Sequence, residues 1–270
     1  MTNPSKPSTA AVFSAPRMVI RGGMAEHSHR HIPEETPVAL VHDAMTTAVM
    51  MATPLDLEDF AVGFSLTEGI VKNLSEIRTI EIVAGEMGIE ARAWLNANRS
   101  TELTARRRRL AGATGCGLCG IDSLAESVRN IPAVGEGVKI SAKNIHRALD
   151  ALRDGQVIGN RTRAVHAAAW WAKETLTIRE DVGRHNALDK LVGALTRAGT
   201  GQGSGVMVLT SRVSVEMVQK AATFGAQILI AVSAPTALAV RTAQMAEMSL
   251  IAIARDDSFE VFNRPDRIVL

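Results

Sequence analysis

The residues best suited to covalent chemistry are Cys116 and Cys119, the two cysteines of a 270-residue chain. They sit in Gly115-Cys-Gly-Leu-Cys-Gly120, with a glycine flanking each thiol on its outer side. Glycine leaves a loop conformationally free and the sulfurs sterically open. The thiolate is the nucleophilic form, and its pKa falls beside cations, at helix N-termini and within Cys-x-x-Cys pairs. Here Arg106–Arg109 precede the pair, and a helix is expected from Ser123. An accessible, low-pKa thiol on a mobile loop suits sulfur transfer. It would attack a donor persulfide, hold the terminal sulfur and present it onward, with the second thiol resolving or relaying. Zinc is the competing reading, but it wants four ligands, and only His146 and His166 stand in reserve. The pair alone specifies thiol chemistry and leaves the substrate open.

A second group gathers where a strand should end and a helix begin: Arg179, Asp181, Arg184, His185 and Asn186. Ligands of α/β sheets bind at such carboxyl ends, and arginine forks near helix N-termini suit phosphate. Arg212 lies at the next strand-to-helix corner and Ser233 at the one after, so three corners can line one crevice. The competing reading for each single residue is a solvated surface arginine or a satisfied cap.

The elements that must hold these residues follow from periodicity. Pro37–Val41 and Thr46–Met51 read as a hairpin. Thr53-Pro54-Leu55-Asp56 reads as a helix start, with Thr53 as cap, Pro54 at the first helical position and Gly69 at the end. Leu57, Phe60, Ala61 and Phe64 form its core face. Thr79–Val83 and Ile89–Leu95 read as strands, and Ser141 to Leu152 as a helix. From Thr162 strands and helices alternate: strands at Val165–Trp171, Thr175–Ile178, Gly205–Leu209, Ile228–Val232, Leu250–Ala254 and Phe259–Phe262, and helices at Asn186–Arg197, Val215–Phe224 and Thr236–Ala246. Such alternation predicts a layered α/β domain. Residues 1–33 read as a flexible tail, whose His27, His29 and His31 lack a neighbouring carboxylate or thiol at ligand spacing.

Composition narrows the function class. A net charge of +2 gives no global field for nucleic acid, and 3% aromatic residues leave few stacking platforms. Two cysteines are too few for a secreted disulfide scaffold. No apolar run reaches ~18 residues and no signal pattern opens the chain, so a cytoplasmic protein without membrane contact is expected.

Several stretches, in order, resemble the formate dehydrogenase accessory sulfurtransferases of the FdhD type. They are Thr114–Gly120, Arg179-Glu-Asp-Val-Gly-Arg184-His-Asn-Ala-Leu-Asp189-Lys190, Ser211-Arg-Val-Ser-Val-Glu216-Met-Val-Gln-Lys220-Ala and Ser233-Ala-Pro-Thr236. Thr53–Phe60 and Thr67-Glu-Gly69 match the N-terminal part. The resemblance runs from Glu35 to Ile268. It implies an α/β fold: a smaller N-terminal α/β part (34–158) carrying the cysteine loop, and a cytidine-deaminase-like three-layer C-terminal domain (159–270). It implies a homodimer that takes sulfur from a cysteine desulfurase as a persulfide on Cys116. The acceptor would be the Mo-bis(molybdopterin guanine dinucleotide) cofactor of a formate dehydrogenase apo-subunit, which GDP or GMP could mimic. No metal would be bound directly by the protein. The family's cofactor-binding stretch falls on Ile253, Ala254, Arg255, Asp256, Asp257 and Ser258. This chain departs from the family in two places. Arg163 and Ala164 stand where a glycine pair is usual ahead of His166, and the 253–258 stretch is more acidic. The alternatives are a cofactor-binding chaperone that moves no sulfur and a zinc nucleoside deaminase. The latter would need a Glu two residues after a ligand His and a later Cys pair, where this chain has Ala187 and no cysteine beyond Cys119.

Overall fold

A computed structural model describes residues 9–101, 131–201, 203, 205–255 and 257–270. The expected cysteine loop, its arginine run, the helix after Ser123 and Asp256 lie outside the described residues. The elements are β1 (Val12–Arg21), β2 (Met24–Pro33), β3 (Thr36–His42), β4 (Met45–Ala52), α1 (Leu57–Thr67), β5 (Ile77–Ala84) and β6 (Ile89–Leu95). Then follow β7 (Ile140–Ser141), α2 (Ala142–Gly155), α3 (Val157–Thr162), β8 (His166–Ala172), β9 (Thr175–Asp181), α4 (Arg184–Arg197) and β10 (Val206–Leu209). The chain closes with α5 (Val215–Phe224), β11 (Ile228–Ala231), α6 (Ala237–Met245), β12 (Ser249–Ala252), β13 (Glu260–Asn263) and β14 (Ile268–Val269).

The C-terminal elements build a six-stranded mixed sheet in the order β13-β12-β11-β10-β8-β9. The strands β10, β11 and β12 run parallel, and β8, β9 and β13 run antiparallel to their neighbours. Side chains alternate across such a sheet. Ala168, Trp170, Met207, Leu209, Leu229 and Leu250 face α4, α5 and α6. Ala167, Ala169, Trp171, Val208, Ile230 and Ile251 face α2, which presents Ile145, Ala148, Leu149 and Leu152. The strands β8, β10, β11 and β12 are thus covered on both faces, and their sequences are apolar without alternation for that reason. The Ser141 hydroxyl caps α2 by accepting from the Asn144 N–H, as its position predicts.

A second sheet, ordered β4-β3-β6-β5, packs under α1, whose Leu57, Phe60, Ala61 and Phe64 are buried as expected. The helix begins later than its sequence suggests. Its N-cap is Asp56, with φ 55°, and Thr53 has another task. The Thr53 N–H donates to Asp181, and its hydroxyl accepts from the Val182 N–H (3.2 Å). A tertiary seam has overridden a local capping signal. The stretch 12–33, expected as a flexible tail, instead forms a hairpin of ten-residue strands turning on Gly22 and Gly23, both with positive φ. Its strands bury too little for alternation to register in the sequence.

The two sheets meet where α1 crosses α4. A Cβ on Gly63 would stand 1.7 Å from the Asp189 carbonyl oxygen, and one on Gly193 1.9 Å from that of Asp59. Only glycine permits this approach.

Candidate functional site

Because β10, β11 and β12 are parallel and β8 is antiparallel to β10, one edge of the large sheet collects many ends. They are the C-termini of β9, β10, β11 and β12, the start of β8 and the N-terminus of α4. The corners are laced together. The Val232 N–H donates to Leu209 O (3.0 Å), Val213 N–H to Ala234 O (3.2 Å) and Ile253 N–H to Ser233 O (3.2 Å). The Ala167 N–H donates to the Thr210 hydroxyl (2.8 Å). Arg184, His185, Arg212, Ser233, Ile253, Ala254, Arg255, Asp257 and Ser258 therefore come to the same edge, and Asp256 lies outside the described residues. Arg212, Arg255, Asp257 and Ser258 are exposed, Ser233 and Ile253 are half-buried, and Ala254 is buried.

Three other sequence-predicted site residues have their polar atoms committed inside the fold. Asp181 is fully buried and accepts four hydrogen bonds. The donors are Lys190 Nζ (2.6 Å), the Thr53 N–H (3.0 Å), the Gly183 N–H (2.8 Å) and Asn186 Nδ2 (2.9 Å). That nearly fills a carboxylate's acceptor sites. Asn186 also donates to Met51 O (2.8 Å). Arg179 forks onto Asp59 with Nε (2.8 Å) and Nη2 (2.6 Å) and donates from Nη1 to Ile178 O. These residues hold the N-terminal sheet against the large one.

Arg184 and His185 are placed differently. Both are half-buried, and Arg184 Nε and His185 Nε2 are buried with no hydrogen-bond partner. Leaving such a group unpaired costs about 1–3 kcal/mol, which an incoming acceptor would recover. Burial, then the charge of Arg184, lowers the His166 imidazole below its ordinary value, with Asp181 pulling the other way. His185 is lowered by burial first, then by Arg184 and Lys220. Burial works against Glu216, yet its own backbone N–H and the charge of Arg184 hold it below the usual carboxylate range. The corner thus offers neutral imidazoles, a guanidinium and an anchored carboxylate.

Beside this corner, between α2 and the strand ends, lies a cavity of about 340 Å³. Its polar walls are His146, Asp150, Arg153, Gln156, Thr210 and Arg255. The His146 ring lies 5.7 Å from that of Phe259. Of the residues from α2, sequence reasoning named only His146, as a reserve zinc ligand, and missed Asp150 and Arg153, having placed the helix without assigning its faces. Their signal was the spacing 146, 150, 153, a single helical face. Among the described residues no group of three or more His, Cys, Asp or Glu side chains could hold a metal ion.

Comparison with known proteins agrees with these elements. A model of the FdhD/NarQ family matches residues 33–269. The chain is 49% identical over 258 residues to the sulfur carrier protein FdhD of Agrobacterium fabrum, covering 94% of this chain and 95% of the relative. It is 44% identical over 269 residues to that of Bordetella petrii, covering 98% and 96%. A solved structure from Desulfotalea psychrophila, provisionally described as a formate dehydrogenase accessory protein, superposes with a TM-score of 0.75 at 25% identity. It covers 96% of this chain and all of that one.

Proposed function

The chain belongs to the FdhD/NarQ family, and from that premise we propose that it is a sulfur carrier. It takes sulfur from a cysteine desulfurase as a persulfide on Cys116 and passes it to the Mo-bis(molybdopterin guanine dinucleotide) cofactor of a formate dehydrogenase. The observation that carries this reading is the glycine-flanked Cys116/Cys119 pair inside a chain whose relatives are named sulfur carriers.

In the loading step the Cys116 thiolate attacks the terminal sulfur of the donor persulfide. The donor's S–S bond breaks, and its cysteine leaves as a thiolate with the bonding pair, so there is no net redox change. In delivery the acceptor, acting as nucleophile, supplies the electron pair of its new bond to the terminal sulfur. The S–S bond breaks and Cys116 leaves as the thiolate with that bond's pair, so the sulfur moves at the sulfane level and the acceptor is the two-electron donor. Cys119, three residues on, is positioned in sequence to relay or resolve.

For the nucleotide end of the acceptor the reading uses the carboxyl edge of the large sheet. Arg255 supplies a cation for phosphate, Asp150 a carboxylate of the kind a guanine edge donates to, and the unpaired Arg184 Nε a further donor. Homodimer formation and cytoplasmic location belong to the same reading, and no helix among the described residues is long and apolar enough to cross a membrane.

The test is formate dehydrogenase activation in cells lacking this protein, with Cys116→Ala supplied in its place. A sulfur carrier loses activation. A chaperone that binds the cofactor without moving sulfur keeps it.

A further inference from the structure

The hairpin β1–β2 leans on α3, where Arg30 Nη2 donates to the Thr162 carbonyl (3.3 Å). Between them opens a cavity of about 440 Å³ lined by Arg17, His29, Arg30, His31, Arg161 and Arg163. Every lining residue is basic. Among the described residues none of the four guanidiniums forms an ion pair. Arg17 has a side-chain bond only to the Ser28 hydroxyl (3.1 Å), so most of the guanidinium donors remain free.

Arg163 adds a second observation. It closes α3, its N–H bonding the Gly159 carbonyl (2.7 Å), and it stands at φ 57°. Glycine adopts this left-handed conformation freely, whereas a side chain with a Cβ pays strain there. A strained cation aimed into a cavity of other cations points to use of its side chain.

Crowding like charges is unfavourable until an anion arrives. Guanidinium forks match the oxygens of phosphate bidentately. The volume of this open groove falls in the range of small-ligand pockets, and six basic side chains from one hairpin and the end of α3 suit a compact anion better than an extended acidic protein surface. We propose that this pocket is a binding site for a diphosphate-bearing small molecule, separate from the carboxyl-edge cavity. The site does not rest on the sulfur chemistry of Cys116.

The test is calorimetric titration of inorganic pyrophosphate into the full-length protein, an Arg161→Gln/Arg163→Gly variant and an Arg255→Ala variant. The wild type should bind. The double variant should weaken binding by on the order of tenfold or more per arginine. Its thermal midpoint should be unchanged or raised, because glycine relieves the strain at position 163. Arg255→Ala removes the phosphate cation of the carboxyl edge and should keep a pyrophosphate site that the double variant lacks. GDP titrated in parallel separates two sources of the same chemistry. A nucleotide-borne diphosphate gives weakened GDP binding in the double variant and a free diphosphate gives unchanged GDP binding, and both support the site. No binding to the wild type, equal binding to the double variant, loss in Arg255→Ala alone, or binding only of a polyglutamate peptide would overturn it.

Discussion

Lys190 is fully buried, and its ammonium reaches Asp181 Oδ2 at 2.6 Å and the Thr53 carbonyl at 2.8 Å. Burial pushes the lysine below its ordinary value, against the pull of Asp181. Removing one partner of such a pair strands the other charge in the interior. Lys190→Met should cost about 3–5 kcal/mol of unfolding free energy, measured by urea denaturation at neutral pH. A loss under 1 kcal/mol would show that Asp181 is not held as described. The half-buried histidines give a pH signature. Burial and Arg184 lower both His166 and His185, so below the ordinary imidazole value the unfolded chain binds more protons than the folded one. Stability should therefore be full above about pH 6.5 and fall as the pH drops below it. Denaturation midpoints from pH 7.5 down to 5.5 check this, and the slope should flatten in His185→Gln. The same residues mark a limit of sequence reading. Arg179 and Asp181 were legible as a functional-looking cluster at a strand end. Their actual partners, Asp59 and Thr53, lie more than a hundred positions away, and nothing local announces them.

Between elements, the decisive contact is the crossing of α1 over α4. Gly63 and Gly193 each face a carbonyl oxygen of the other helix. Asp59 ties the crossing to Arg179 and Arg197, while Asp189 ties it to Thr67 and Lys220. Burial opposes it, yet Asp189 and Glu68 hold the Lys220 ammonium above its ordinary value. Gly63→Ala or Gly193→Ala must push the helices apart and should destabilise by roughly 1–3 kcal/mol or more. Gly201→Ala, with open space around its site, should stay within about 0.5 kcal/mol. Thermal unfolding distinguishes them, and equal midpoints for all three would contradict the close crossing. Elements with strong periodicity, such as α5 at Val215–Phe224, were readable from the sequence to the residue. The start of α1 was not, because the seam outbids Thr53 as a cap. Nor was the hairpin at 12–33, whose strands bury too little to impose an alternating pattern.

At the scale of the molecule, the alternation of strands and helices after residue 162 was enough to foresee a layered sheet. The order of its strands, and so which corners share an edge, came only from the fold. That order places Arg184, Arg212, Ser233 and Arg255 at one edge and adds Asp150 and Arg153 from α2. If the acceptor's nucleotide end binds there, calorimetry should give GDP binding about tenfold weaker in Arg255→Ala, since one charge-assisted bond contributes ~1.5–3 kcal/mol. Unchanged affinity would move the nucleotide elsewhere. The central claim concerns sulfur, and it is tested most directly by the intact mass of the full-length protein after incubation with a cysteine desulfurase and cysteine. The account predicts a gain of one sulfur that reductant removes, that maps to the peptide bearing Cys116 and that is absent from Cys116→Ser. No gain, or a gain that persists in Cys116→Ser, would contradict it.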